Sequence, residues 1–305
     1  MSDRPAAQPA IGAKLFQDGA SKTEQPINRF RRRFLRHKFG IAGVIVMLVL
    51  GFMALFAPLV AMHDPLEINL LYLNQPPSTD HILGTDSVGR DNWARLVFGA
   101  RVSLSVGLVA VCIYISIGVI LGGISGYFGG RVDILIMRFT DVMMCFPSFM
   151  LIVTVAASLP PSIYNVMIII GIFGWTSTCR LVRAEFLSLR SLDYVMASRS
   201  LGVPHMRIVF RHILPNAIAP VIVSATLGLA GAIMTEAGLS FIGFGVQEPM
   251  PSWGSMVQNA MSLPILENMP WRWMPPAGMI GITVLAINFA GDALRDALDP
   301  HSVVN

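Results

Sequence analysis

Residues 40–62 read GIAGVIVMLVLGFMALFAPLVAM, an uninterrupted apolar stretch. None of these 23 positions carries a charge. A helix rises about 1.5 Å per residue, so the stretch would be about 35 Å long, and the hydrocarbon core of a bilayer is about 30 Å thick. Residues 40–62 are therefore predicted to form a membrane-spanning helix.

The basic run RFRRRFLRHK at 29–38 precedes this stretch and gives it a second interpretation, a twin-arginine export signal. The apolar run is longer than the core of such a signal, and no small-residue cleavage site follows it. A retained first helix behind a cytoplasmic tail, residues 1–39, is the preferred interpretation.

Similar apolar stretches recur along the chain and decide its class. Only 13% of the residues are charged and 54% are hydrophobic, whereas about 25% of the residues in a soluble domain are charged. The sequence predicts an all-α polytopic membrane protein with six transmembrane helices. The five further spans are expected at 102–128, 142–159, 163–182, 217–239 and 274–291.

The distribution of basic residues predicts the orientation. Of the 22 Lys and Arg residues, 18 lie in segments on one side of the six spans and 4 on the other. Basic residues accumulate on the cytoplasmic side, so both termini, including the tail 292–305, are expected there. Residues 63–101 and the loop 240–273 are then extracytoplasmic.

The predicted spans contain almost no ionisable side chains. Glu236 is the one acid well inside them, and a structural, hydrogen-bonded role is preferred for it over a transport role; Arg180 and Asp292 lie at cytoplasmic edges. Proton-coupled carriers need ionisable groups in the membrane, so a proton relay is not expected. We find no phosphate-binding loop, metalloprotease helix or nucleophile elbow, so neither catalytic residues nor a bound cofactor or metal is expected.

Three further residue types receive structural interpretations. Cys112, Cys145 and Cys179 lack metal-like spacing and are expected to be buried small apolar residues. The glycines at 122–130 are expected to end the second span. The tryptophans of the outer loop could contact substrate, but interfacial anchoring is preferred. The aromatic and sulfur side chains near Pro147 could line a substrate path, but packing is preferred. These side chains are Trp253, Trp271, Trp273, Met143, Met144, Phe146, Phe149 and Met150. Pro147 itself is a candidate for a kink in the third span.

The largest polar segment between spans, residues 183–216, is predicted to form an elbow of two helices. Residues 183–202 have apolar positions at helical spacing with arginines on the other side. Gly202 can end this helix, and Pro204 suits the first turn of a second one that would stop near Pro215. From amphipathicity alone, an elbow that lies on the membrane surface with its basic residues toward the lipid headgroups is the preferred interpretation. His205 and His212 within the elbow are expected to be solvated or capping.

The sequence ASRSLGVPHMRIVFRHILPN at 197–216 resembles the E-A-A loop of binding-protein-dependent ABC importer permeases. Met196 stands where that loop usually has an acid, and Ser198 stands at a following small position. The resemblance implies that this loop contacts an ATPase. The implied coupling residues are Met196, Ala197, Ser198, Gly202, Val203, Pro204, Ile208, Leu214 and Pro215.

Four more segments, at 83–107, 126–148, 236–254 and 288–300, look like the C-type permease subunit of dipeptide and oligopeptide importers. The resemblance implies a type I ABC importer permease fold, with residues 102–291 as a five-helix core, in a prokaryotic inner membrane. It implies a second, homologous permease, two cytoplasmic ATPases that use ATP and magnesium, and an external binding protein. Nickel, glycosides or opine-like solutes are alternative cargoes, and an ion-gradient-driven carrier is the alternative from another class.

Charged residues just before the second span also have two interpretations. Asp86, Arg90, Asp91 and Arg95 lie close together, and Asp91 and Arg95 would form an i,i+4 pair in a helix. An interfacial helix entering the membrane is preferred, and contact with a binding protein is the alternative.

Overall fold

The computed structural model describes residues 34–35 and 37–298, so most of the predicted tail 1–39 and residues 299–305 lie outside the described residues. The all-α prediction is confirmed: within the described residues the regular structure is helical, apart from one isolated bridge between Thr85 and Asp91. The helices are α1 Lys38–Leu55, α2 Ala57–Val60, α3 Asn92–Phe128, α4 Gly130–Met144, α5 Ser148–Ser158, α6 Ile163–Leu189, α7 Asp193–Ser200, α8 His205–Ile208, α9 Leu214–Ile242, α10 Trp253–Gln258, α11 Leu263–Asn268 and α12 Pro270–Leu298. A 3₁₀ turn, Leu70–Tyr72, lies between α2 and α3, and a π-helical turn, Val209–Ile213, joins α8 to α9.

Five helical segments of the described chain are long and apolar enough to cross a membrane: α1, α3, α6, the continuous run from α8 through α9, and α12. The pair α4 and α5 counts as a sixth crossing if it is taken as one span, and its two helices are bent by 78°. Pro147, the N-cap of α5, stands at this bend and confirms the predicted kink. Residues 142–144 of the expected span 142–159 belong to α4, and the rest of it follows the bend, since Pro147 cannot continue the hydrogen-bonding of α4.

Helix α3 begins ten residues before the predicted start of its span. Asp91 is its N-cap and accepts a 2.7 Å hydrogen bond from the backbone N–H of Ala94. The expected Asp91–Arg95 ion pair is wrong, because this carboxylate caps the helix while Arg95 reaches Glu248 instead. The i,i+4 pair that does form joins Asp86 to Arg90, with Nε and Oδ2 2.7 Å apart.

The elbow differs from its prediction at two points. The single helix expected over 183–202 is two helices, because α6 ends at Leu189 and α7 starts at Asp193. The second elbow helix does not stop near Pro215; the π turn carries it directly into α9, with Pro215 in the first turn of α9. A proline in a first helical turn needs no hydrogen-bond donor, so the chain continues without a break.

Small residues let the core helices approach closely. Gly118, Gly122 and Gly126 form one stripe of α3 against α6, and a Cβ on Gly122 would lie 2.4 Å from the backbone oxygen of Cys179. These glycines therefore pack the helix pair, as small residues do in membranes, and it is Gly129, with a positive φ of 66°, that ends α3. The prediction that the glycines at 122–130 end the span holds only at its last members.

The predicted burial of the cysteines is correct only for Cys179, which is inaccessible between α3 and α6. Cys112 on α3 and Cys145, which follows α4, are exposed. A polarizable, weakly polar thiol tolerates an apolar surrounding, so exposure on a membrane helix is compatible with the sequence argument that treats Cys as a small apolar residue.

Candidate functional site

The coupling residues implied by the resemblance separate into two faces of the elbow. Val203, Ile208 and Leu214 point towards the membrane helices and join one apolar cluster with Tyr127 and Phe186. Ile208 is fully buried in that cluster. The outer face carries the exposed residues Met196, Ala197, Gly202, Pro204 and Pro215, and Ser198 is half-buried with its hydroxyl donating to the Tyr194 carbonyl.

The outer face of the elbow is unusually apolar for an exposed surface. Met196 is 50% exposed, Leu201 83%, Met206 66% and Phe210 61%. Arg199, together with other elbow arginines, adds positive charge around these side chains. Contiguous exposed apolar residues rimmed by charge are typical of a contact surface for another protein or for a membrane.

Polar contacts hold the inner face of the elbow to α3. The hydroxyl of Tyr127 and Nδ1 of His205 are 2.7 Å apart, and the Arg199 guanidinium lies 5.4 Å from the centre of the Tyr127 ring. Arg190, just after α6, donates to the backbone carbonyls of Gly126 and Tyr127 at 2.9 and 3.3 Å. These carbonyls are left without helical partners at the end of α3, so Arg190 completes the helix terminus. His205 is exposed, and its hydrogen bond also attaches the elbow to α3.

A second contact ties α6 to α4. Arg183 Nη2 and Asp133 Oδ2 are 2.7 Å apart in a two-point pair, and Ser125 of α3 also donates to the Asp133 carboxylate. Arg180 and Asp141 form a further pair of 2.6 Å on the same two helices. Bidentate pairing fixes orientation as well as distance, so α3, α4 and α6 meet the elbow as one unit.

Gly202 makes the sharp bend between α7 and α8. Its φ is +75°, a conformation that residues with a side chain rarely adopt, whereas a Cβ there would meet no atom within 4 Å. The constraint at Gly202 is therefore the backbone angle and not the available space. The predicted use of Gly202 to end the first elbow helix is confirmed.

Between the membrane helices lies an open cavity of about 300 Å³. Its lining is rich in hydroxyl groups from α3, α5, α6 and α9: Tyr114, Ser148, Thr176, Ser177, Thr178, Ser224 and Thr235. Hydroxyls offer both donors and acceptors without charge, so such a surface can hydrogen-bond a polar solute inside a membrane. No part of the sequence argument had selected these residues.

Tyr114 is a buried polar group in the lining of this cavity. Its side chain is wedged between Gly174 and Gly228, where a Cβ would lie 3.1 Å from the ring and 1.5 Å from the hydroxyl, respectively. The hydroxyl is buried and has no hydrogen-bond partner among the described residues. An unpaired buried hydroxyl costs stability and is expected to take a partner when one arrives.

The aromatic and sulfur side chains near Pro147 do not line this cavity. Met144, Phe146, Phe149 and Met150 are exposed on the surface of the described chain, and Met143 packs against the main apolar cluster. The useful signal in the sequence was instead the run Thr176–Ser177–Thr178 within an otherwise apolar span, next to Gly174. Small polar residues beside glycine can face a cavity or neighbouring helix rather than lipid.

Glu236 lies at the other end of α9 and is fully buried. Its two carboxylate oxygens accept hydrogen bonds of 2.9 Å from Ser103 on α3 and 2.8 Å from Ser240. Trp253 covers this pair: its backbone N–H donates to Ser103, and its indole N–H donates to the Leu96 carbonyl. The predicted structural, hydrogen-bonded environment of Glu236 is present. The expected anchoring role of Trp253 is wrong, because the side chain is completely buried.

An ion-pair cluster joins the outer loop to the start of α3. Glu248 accepts from Arg95 Nη2 at 2.7 Å and from Arg90 Nη1 at 2.5 Å, and Asn259 also donates to it. Burial alone would lower the pKa of Arg90, but its hydrogen bonds with Glu248 and Asp86 outweigh burial and raise that pKa above its ordinary value. Arg90 therefore remains cationic and keeps the loop attached.

Two known families match separate parts of the chain. The family described as binding-protein-dependent transport system inner membrane component matches residues 118–303. The family described as the N-terminal transmembrane domain of oligopeptide transport permease C matches residues 25–77.

Individual relatives extend this similarity. The chain is 42% identical over 300 residues to the oligopeptide transport system permease protein of Bacillus subtilis, covering 98% of this chain and 96% of that protein. It is 42% identical over 269 residues to the dipeptide transport system permease protein of Alkalihalophilus pseudofirmus, covering 88% of each chain. An inward-facing structure of the MetNI methionine ABC transporter matches with a TM-score of 0.55 and 18% identity, over 67% of this chain and 96% of that one, and shows the same fold.

Proposed function

Because the chain belongs to the family of binding-protein-dependent transport system inner membrane components, we propose that it is the permease subunit of an ATP-driven peptide importer. The observation that carries this proposal is the 42% identity to an oligopeptide permease over 98% of the chain. Nickel, glycoside or opine-like cargoes remain alternatives within the class. The ion-gradient-driven carrier is disfavoured, because Glu236 is the one acid that the described core holds fully buried, and serines bind it.

In this proposal the outer face of the elbow receives a cytoplasmic ATPase. The exposed apolar side chains Leu201, Met206 and Phe210 would fill a groove of that partner, and Met196 replaces an acidic contact with an apolar one. ATP and magnesium are used by the ATPase, while this chain binds no cofactor. Movement of the elbow passes to the membrane helices through the Val203, Ile208 and Leu214 contacts.

The assembly contains a second, homologous permease, two ATPases and an external binding protein. Support for the second permease comes from the hydroxyl-lined cavity, which is open on one side and includes the exposed residues Ser177 and Gly231. A partner with a similar surface would close it into a path. Peptide bonds offer one donor and one acceptor per residue, which matches a wall of neutral hydroxyls.

Both termini face the cytoplasm in this arrangement. Support comes from the excess of Lys and Arg in the segments on that side of the spans. The test uses single cysteines at two exposed sites, Leu71→Cys in the predicted outer segment and Leu201→Cys in the elbow, in a chain whose three native cysteines are changed to serine. A membrane-impermeant maleimide should label the first in intact cells and the second only in inverted vesicles. The reverse pattern would overturn the orientation.

The coupling role is tested by Gly202→Val in the reconstituted complex. A β-branched residue cannot readily adopt φ +75°, so uptake and substrate-stimulated ATP hydrolysis should both fall while the chain still inserts. Gly130→Val is the matched control, because Gly130 also has a positive φ, +55°, and no atom within 4 Å of a Cβ, but lies outside the elbow. Equal effects of the two variants would reject a coupling role for Gly202. Purification of the tagged chain without any ATPase would reject the importer itself.

A further inference from the structure

We propose that His63, His81 and Asp91 bind one divalent transition-metal ion of the zinc type at the face of the protein that carries the outer loop. One ligand atom from each of these side chains lies within 4.8 Å of the others. The site is independent of the transport function proposed above. The sequence did not suggest it, because the two histidines are 18 positions apart and neither stands in a metal-binding motif.

The two inner ligands are already in place. Asp91 is fixed by its role as N-cap of α3, in which one carboxylate oxygen accepts from the Ala94 N–H. Its other oxygen lies 2.9 Å from Nδ1 of His81. Two ligands at about 2.0–2.1 Å from a tetrahedral Zn²⁺ are about 3.3 Å apart, so the ion would replace the proton shared between them.

His63 supplies the third ligand from the opposite wall. Its ring centre lies 5.0 Å from that of His81, and its side chain is exposed. A movement of at most about 1.5 Å would bring its nitrogen to the spacing of two zinc ligands. Three protein ligands leave a fourth position for water, as imidazole and carboxylate sites for zinc commonly do.

The surroundings favour a cation. The three side chains line a cavity of about 260 Å³ that is also lined by Asp64, Glu67 and Asp80. Among the described residues that line it, none is Lys or Arg. Four carboxylates in a wall without Lys or Arg attract positive charge, and the two imidazoles select a transition metal over Ca²⁺ or Mg²⁺.

Metal binding would attach the segment that follows α2 to the start of α3. His63 comes just after α2, and Asp91 starts α3, so the ion would close a loop of the outer segment. The experiment titrates ZnCl₂ into the full chain, purified in mild detergent on a tag without histidines and stripped with EDTA, and follows binding by calorimetry. One saturable site per chain and a rise in thermal stability are expected.

The double variant His63→Ala/His81→Ala should weaken Zn²⁺ binding by more than the roughly 10–100-fold that loss of a supporting residue costs. Asp91→Asn keeps the helix cap but removes the charge, so it should weaken binding without unfolding α3. His205→Ala, in the elbow, is the control and should bind as the wild type does. Absence of a saturable site, equal binding by the double variant, or equally tight binding of Mg²⁺ would overturn the proposal.

Discussion

Tyr127 and His205, 78 positions apart in the chain, are joined by a 2.7 Å hydrogen bond between the phenol oxygen and the imidazole Nδ1. This bond links the end of α3 to the first residue of α8. It is the most direct polar connection between the membrane core and the bend at Gly202. The elbow is therefore attached to the core on both sides of its bend, by this bond and by Arg190.

Breaking this hydrogen bond should weaken the coupling of ATP hydrolysis to transport and cost little stability. For Tyr127→Phe we expect a loss of about 1 kcal/mol, the net value of one hydrogen bond, because the ring remains packed. ATP hydrolysis by the reconstituted complex should respond less to substrate and its binding protein, and uptake per ATP should fall. His212→Ala is the control, since its ring makes no hydrogen bond among the described residues. An unchanged transport stoichiometry in Tyr127→Phe would contradict this role.

Tyr114→Phe should make the protein more stable and, at the same time, weaken its transport of substrate. Removing a buried hydroxyl that has no partner should raise the free energy of unfolding by about 1 kcal/mol, which a thermal-shift assay in detergent can detect. If the hydroxyl bonds the passing peptide, the substrate concentration for half-maximal uptake should rise. Tyr164→Phe, at a tyrosine that is 71% exposed, should change neither quantity. A destabilised Tyr114→Phe protein would show that the hydroxyl has a partner after all.

Two substitutions at Glu236 distinguish a structural acid from a proton carrier. Glu236→Gln can keep both serine contacts, because a serine hydroxyl can accept from the new amide, so stability should change by less than about 1 kcal/mol. Glu236→Ala leaves a cavity and removes the acceptor for Ser103 and Ser240, and should cost about 2–4 kcal/mol. Uptake by the Gln variant should remain near that of the wild type. A stable Gln variant without uptake would instead identify Glu236 as a transport residue.

The outer ion-pair cluster should respond strongly to the loss of Glu248. Arg95 is 2% exposed, so Glu248→Ala would leave a buried cation with a weaker partner. We expect a loss of about 2 kcal/mol, below the 3–5 kcal/mol of a fully buried pair because the Glu248 side chain is 40% exposed. Chemical denaturation in detergent measures this change.

Two further variants control the Glu248 experiment. Glu267→Ala removes an exposed acid on α11 that has no ion pair within residues 37–298, and should be nearly neutral. Adding Arg95→Met to Glu248→Ala should recover part of the loss, since a buried cation is replaced by an apolar side chain. A double variant less stable than Glu248→Ala would show that Arg95 stabilises the fold through other contacts.

The sequence predicted the helices well because apolar runs of membrane length are a strong local signal. It also located the bend at Gly202 and the kink at Pro147, because the backbone limits of glycine and proline are properties of single residues and are likewise local. It could not place the hydrogen-bond partners of Arg95 and Trp253, or the glycines against which Tyr114 packs. Those partners lie up to 157 positions away in the chain, and only the packing of α3 against α9 and the outer loop brings them together.

The helical run from His205 to Ile242 has 38 residues and continues through the π turn without an interruption. At about 1.5 Å per residue it is about 57 Å long and reaches from the elbow to the outer loop. If the whole run tilted by about 5° about its elbow end, its other end would move by about 5 Å, close to the rise of one helical turn. The other end carries Glu236 and leads into the outer loop, so a tilt about the elbow end would displace these parts by the largest distance.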